Sequence, residues 1–119
     1  MRVLMRVPMR VLMRVPMRVL VQIPVEYGGA NPIFAAYVAD TILAHNTFID
    51  SSYSSICAGW GWGMASFMRN VHIVNNSFTR PMRRLQDGGG VYTNTPCPNC
   101  NVSGNYFDTD NVKYGCLYQ

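Results

Sequence analysis

Charge is scarce in this sequence. Only 13% of its 119 residues are charged, too few for a disordered solvating tail, and the length admits one domain at most. Long apolar runs are missing too. Arginine recurs at every fourth position through Arg18, which leaves no room there for the apolar stretch of about 7–15 residues in a signal peptide. No run approaches the roughly 20 residues of a membrane-spanning helix, so no membrane span is expected. No segment sustains the apolar period of about 3.6 residues that marks an amphipathic helix, so helices are not expected. The sequence has no Walker loop, no GxGxxG fingerprint and no Ser-His-Asp spacing. Those absences exclude the common phosphate-, dinucleotide- and triad-based chemistries, and no cofactor is expected.

Metal ligands are equally thin. Cys97-Pro98-Asn99-Cys100 is a C-x-x-C without a second pair, whereas a tetrahedral zinc site needs four ligands. A thioredoxin-like role would need a βαβ context, which is missing. A local disulfide in an oxidising compartment is the alternative. His45 and His72 have no Cys or carboxylate at ligand spacing, so they read as structural or solvent-facing, and no metal site is expected.

The net charge is +4 and the pI is basic, which taken alone suggests a nucleic-acid or anionic-membrane partner. Position removes that suggestion. Arg2, Arg6, Arg10, Arg14 and Arg18 all precede Pro24, and the remainder carries five cations against six acids. Residues 1–8 read MRVLMRVP, residues 9–16 repeat them, and residues 17–24 are a decayed third copy, MRVLVQIP. Pro8, Pro16 and Pro24 would break a helix or interrupt a central strand. Residues 1–24 therefore read as low-complexity repeat, expected to be disordered, and residues 25–119 as the folded part; no nucleic-acid partner is expected.

Asparagine is abundant beyond position 30, with ten between 31 and 119. Thr41–Phe48, Val71–Phe78 and Asn101–Phe107 align, each with Asn-x-Phe, at Asn46, Asn76 and Asn105. Their spacing is nearly constant at about 30 residues, a period typical of repeat architectures. A second strand-like piece follows each: Ile56–Gly59, Gly89–Tyr92 and Gly115–Tyr118. Such a unit cannot bury its apolar side alone, but stacked units bury a continuous core. Asn tolerates left-handed backbone angles and can bond its neighbour along a stack, so these asparagines are expected at tight turns. Ile42, Ile73 and Val102 are expected to stack inward, as are Phe48, Phe78 and Phe107. Cys57 and Cys116 are expected to share a column two coils apart, about 9–10 Å, beyond the roughly 7 Å reach of a disulfide.

The Asn-x-Phe turns, the GWGWG at 59–63, the DGGGVYT at 87–93 and Gly104-Asn105-Tyr106 resemble the right-handed parallel β-helix proteins of the pectate-lyase-like superfamily, within it a glycoside-hydrolase-like branch. The resemblance spans about residues 30–119. It implies an all-β, short right-handed parallel β-helix of about three coils, usually extracellular and acting on or binding polysaccharide. It also implies a fragment of a longer stack, with a non-catalytic structural or carbohydrate-binding piece as the alternative. Enzymes of this kind place carboxylates on the outer face of neighbouring coils. Asp87, before three glycines, is the leading catalytic candidate. Asp50 and Asp108, on one edge and two coils apart, suit the carboxyl separation of about 6.5–9.5 Å used in inverting hydrolysis; Asp110 lies nearby. Trp60, Trp62, Tyr92 and Tyr118 are candidate platforms for an oligosaccharide. Arg80, Arg83 and Arg84 form a small basic loop that reads as solvated.

Overall fold

The computed structural model describes residues 27–62 and 66–108, and the backbone of strand residues 116–118. The MRVLMRVP copies, Asp110 and the side chains of Cys116 and Tyr118 lie outside the described residues. All regular elements among the described residues are strands: β1 (Ile33–Ala35), β2 (Ala39–Ala44), β3 (Thr47–Ile49), β4 (Ile56–Ala58), β5 (Arg69–Val74), β6 (Ser77–Thr79), β7 (Gly89–Thr93), β8 (Asn101–Ser103), β9 (Tyr106–Asp108) and β10 (Cys116–Tyr118). They form three sheets, ordered β1-β4-β7-β10, β2-β5-β8 and β3-β6-β9. Every pairing is parallel. The chain thus visits the first, second and third sheets in turn, each pass lying on the one before. This is consistent with the expected parallel β-helix-like stack.

Alternation decides which residues face inward. Successive strand side chains point to opposite faces, and along β2 Thr41 and Leu43 are buried while Asp40 and Ile42 are exposed. The register aligns Leu43 with Ile73 and Val102, and Ile42 with His72 and Asn101. The expected inward column of Ile42, Ile73 and Val102 is therefore corrected by one position at its first member. A one-residue slip moves a strand side chain to the other face. Ile42 is 40% exposed, whereas Leu43 is 4% exposed.

The expected aromatic column is present. Phe48 stacks on Phe78 at 5.0 Å with an interplanar angle of 11°, and Phe78 on Phe107 at 4.7 Å and 9°. Those separations match the spacing of about 4.8 Å between adjacent strands, so parallel register alone sets ring on ring.

The asparagines form a ladder beside the rings. The Asn76 side-chain oxygen accepts from the Asn46 backbone N–H at 3.0 Å and from the Asn46 amide at 2.9 Å. Asn105 accepts from Asn76 in the same way, at 2.9 and 3.0 Å. The remaining Asn76 amide bond goes to the Leu43 carbonyl at 2.9 Å. The left-handed residue, however, is not the ladder asparagine. It is the residue before: His45, Asn75 and Gly104, with φ of 58°, 54° and 64°. At Gly104 a side chain would also run into the Asn75 carboxamide oxygen, so glycine suits both demands there.

A second ladder escaped the sequence reading. Asp40, Asn70 and Asn99 all have positive φ. Asn70 donates to Asp40 at 2.6 Å and Asn99 to Asn70 at 2.7 Å. At the return from the third sheet to the first, buried serines take over: Ser51 and Ser55 share a hydroxyl contact of 2.8 Å. The next pass rests on this corner, with the N–H groups of Arg83 and Arg84 donating to the carbonyls of Ser51 and Ser52 at 2.9 and 3.0 Å.

The cysteine column is also corrected. Cys57 aligns with Tyr92, and Cys116 with Gly89, so the two cysteines lie in different columns. Cys57 is a buried free thiol.

Replacing Leu43 by Ala is expected to cost about 2–5 kcal/mol and Ile42 by Ala no more than about 0.5 kcal/mol, measured by urea denaturation; equal costs would refute this register. Asn76→Ala, which strands several buried partners, is expected to cost about 2–4 kcal/mol by the same measurement.

Candidate functional site

Two features gather the residues of chemical interest: an aromatic corner between the first and second sheets, and an arginine–carboxylate cluster where the third sheet ends.

The corner is built from irregular chain. Residues 59–62 of the GWGWG segment are not in a strand. Gly59, Gly61 and Trp62 all have positive φ, at 89°, 129° and 44°, and Gly59 abuts the Thr95 methyl of the next pass so closely that no Cβ fits. The resulting path puts the Trp60 and Trp62 rings edge to face at 4.4 Å. Trp60 also meets Phe34 edge-on at 5.8 Å. Such edge-to-face pairs are the favoured geometry of aromatic quadrupoles. On the same corner Tyr37 and Phe67 pair at 6.3 Å. Phe34, Tyr37, Trp62 and Phe67 are each more than half exposed. Single exposed apolar side chains are ordinary, but a contiguous group marks a contact surface.

Tyr92 is placed differently. It aligns with Cys57 and Phe34 on the outward side of the first sheet yet is only 6% exposed, and its ring lies 6.4 Å from that of Tyr53. The Tyr53 hydroxyl donates to the Asp87 backbone carbonyl at 2.7 Å. Burial, and then the neighbouring Tyr92 and Asp87, push the Tyr53 phenol above its ordinary value. Asp87 itself is exposed and left-handed, φ 61°. Within this outward column, burial pushes the Cys57 thiol up to about 11, which keeps it protonated and unreactive at neutral pH.

The remaining carboxylates meet arginine. Arg80 donates through Nε and Nη2 to the two Asp50 oxygens, both at 2.7 Å, and Arg83 approaches at 3.6 Å. This fork is the strongest form of the interaction. The Arg80 hydrogen bonds hold the Asp50 carboxyl below its ordinary range; partial burial opposes this, and the Arg80 and Arg83 charges add to it. Asp108 aligns with Thr79 and Ile49, so it ends one position short of Asp50, and its charge too acts on Arg80. Asp50 and Asp108 thus share one edge with Arg80 between them. Of the basic loop, Arg80 and Arg83 are engaged at this edge.

The described residues include no group of three His, Cys, Asp or Glu able to hold a metal ion, and no helix among them is long and apolar enough to cross a membrane. Cys97 and Cys100 are disulfide-bonded, their Cα atoms 5.5 Å apart. The disulfide borders a cavity of about 240 Å³ lined by Met68, Val71, Ile73, Thr93, Thr95 and Val102, among others. In comparisons of sequence and structure, no family model, no curated protein and no solved structure matches this chain.

Phe34, Tyr37, Phe67 and Tyr53 were not among the residues expected from sequence. Their pass-to-pass spacing gives no signal: register partners in the first sheet run from Ile33 to Ile56 and then from Ile56 to Val91, a short interval followed by a much longer one. The corner loops absorb the difference. The Asp40–Asn70–Asn99 ladder, by contrast, repeats at the same interval as the first ladder and was discoverable.

A group whose folded pKa is depressed contributes stability that is present above its unfolded value and lost as pH falls through the folded one. Asp50→Asn is therefore expected to destabilise the chain slightly at neutral pH, and the difference from wild type is expected to vanish in acid. Urea denaturation of both proteins across pH checks this; a difference that persists in acid would exclude the Arg80 pair as its origin.

Proposed function

We propose that this chain is a carbohydrate-binding piece of a right-handed parallel β-helix, allied to the pectate-lyase-like superfamily and its glycoside-hydrolase-like branch, and that it binds oligosaccharide on its aromatic corner. The observation that carries the reading is the cluster of Phe34, Trp60 and Trp62, whose rings touch edge to face at 5.8 and 4.4 Å on an exposed corner. Aromatic rings offer flat apolar surface to the apolar faces of pyranose rings while the sugar hydroxyls stay in water. The neighbouring Tyr37–Phe67 pair extends the surface along the same corner.

Binding is favoured over hydrolysis by the state of the carboxylates. Glycoside hydrolysis needs one carboxylic acid to give a proton and a second carboxylate to act on the other side of the bond. Asp50 is held as an anion by a two-pronged arginine, so it is poorly suited to giving a proton. Asp108 faces the same arginine, and Asp87 is tied through its backbone carbonyl to the Tyr53 hydroxyl rather than to that cluster.

Titration of the intrinsic tryptophan fluorescence with a panel of neutral and acidic oligosaccharides tests the reading. Trp62→Ala and Phe34→Ala are each expected to weaken binding about tenfold, the change produced by about 1.4 kcal/mol of lost ring contact. Unchanged affinity in both variants would overturn the platform. Clear turnover of any glycan in the panel, abolished by Asp87→Asn, would replace binding by catalysis.

A further inference from the structure

The ladder of Asp40, Asn70 and Asn99 runs beside exposed aromatic rings. Tyr37 stands three residues before Asp40, and Phe67 three before Asn70. The two rings pair at 6.3 Å with their planes tilted by 32°, and both are more than half exposed. The Arg69 guanidinium joins these rings to the ladder. Its Nη1 donates to the Phe67 backbone carbonyl at 3.3 Å, and its Nη2 stands 3.6 Å from Asp40 Oδ2. That last separation is longer than a hydrogen bond, and the two side chains are 55% and 45% exposed, so the ion pair adds little to folding. The carboxylate is nevertheless held in place. Its Oδ1 accepts from Asn70 at 2.6 Å, and Asn70 accepts from Asn99 at 2.7 Å. Asn99 lies in the loop closed by the Cys97–Cys100 disulfide, whose Pro98 carbonyl takes the Asn70 N–H at 3.0 Å. One Asp40 oxygen is thus fixed by the ladder, while the other faces Arg69 across a gap with hydrogen-bonding capacity to spare.

We infer that Tyr37, Phe67, Asp40 and Arg69 form a subsite for an uncharged sugar residue, and that this subsite makes the corner select neutral oligosaccharides over uronate-containing ones. The inference rests on the carbohydrate reading above and names the ligand class of that surface. A pyranose has an apolar ring face and a rim of hydroxyls, each able to donate and to accept. The ring pair offers the apolar face a partner. Asp40 Oδ2 can accept from one rim hydroxyl while Arg69 Nη2 donates to its neighbour, so two adjacent hydroxyls fill the gap that the ion pair leaves. The ladder holds Asp40 in place beforehand, which lowers the ordering cost of binding. Charge sets the choice between sugars. Asp40 and Arg69 cancel, so the subsite offers an anion no net attraction, and a uronate carboxylate placed on Asp40 would meet like charge.

The test is isothermal titration calorimetry of the full chain with neutral hexasaccharides of glucose, galactose, mannose and xylose, and with hexagalacturonate. At least one neutral hexasaccharide is expected to bind about tenfold more tightly than hexagalacturonate, and Tyr37→Ala to weaken it about tenfold. Asp40→Asn keeps an oxygen for Asn70 but leaves the Arg69 charge uncompensated. It is expected to weaken the neutral ligand and to tighten hexagalacturonate severalfold, a reversal that damage to the fold would not produce. Loss of affinity in Trp62→Ala but in neither Tyr37→Ala nor Asp40→Asn would overturn the subsite and leave the tryptophan platform standing. The opposite pattern would keep the subsite and remove that platform. Hexagalacturonate binding as tightly as every neutral ligand would overturn the selectivity, and no binding of any hexasaccharide at millimolar concentration would overturn both.

Discussion

The hydrogen bond from one asparagine's backbone and side chain to the carboxamide oxygen of the next is the constraint on which the stack depends. A parallel stack must bend sharply between its second and third sheets, and a sharp bend leaves backbone groups without strand partners. Burying those groups unpaired would be costly. Asn76 is almost wholly enclosed, and every polar atom of its side chain is engaged. The ladder also fixes how far along its neighbour each pass sits. Once that is fixed, Leu43 must meet Ile73, and Phe48 must meet Phe78, because a parallel register leaves no other choice.

Much of this was written in the sequence. The near-constant spacing of Asn46, Asn76 and Asn105 carried the pass length, the parallel stacking and the phenylalanine column, since all three repeat with the ladder. The exchange of Ile42 for Leu43 arose because two adjacent aliphatic residues both satisfy a hydrophobic pattern, and only the partner's alternation, Val71 and Ile73 against His72, tells them apart. The left-handed residue was misplaced by one because His45, Asn75 and Gly104 share no residue type; the turn's geometry is common to them while their chemistry is not. The cysteine columns failed for another reason. The first sheet has no constant spacing, so no repeat length read from the chain could place Cys57 against Tyr92.

The site was less legible than the fold. Candidate carboxylates can be picked from sequence by type, but their state depends on what stands beside them one pass away. Asp50 meets Arg80 from the following pass, and that fork changes a possible proton donor into a fixed anion. The tryptophans were recognisable, but their partners were not, because Phe34 reaches Trp60 through a corner whose loop is unrelated in length to those above and below it. Tyr92, equally aromatic, is enclosed beside Tyr53 on the outward side of the first sheet.

The constancy of the ladder turn has a consequence for how such a chain tolerates insertion and deletion. Only positions 45–46, 75–76 and 104–105 separate the second and third sheets in the three described passes, so this turn never changes length. One residue added there would break the asparagine bonds and shift the ring column together. The opposite corner, between the first and second sheets, spans 36–38 in one pass, 59–68 in the next and 94–100 in the third. Length is rigid where the ladder runs and free where the aromatics lie. Divergence by indel would accumulate on the aromatic corner, so the proposed recognition surface is the part most easily reshaped while the stack beneath it stays the same.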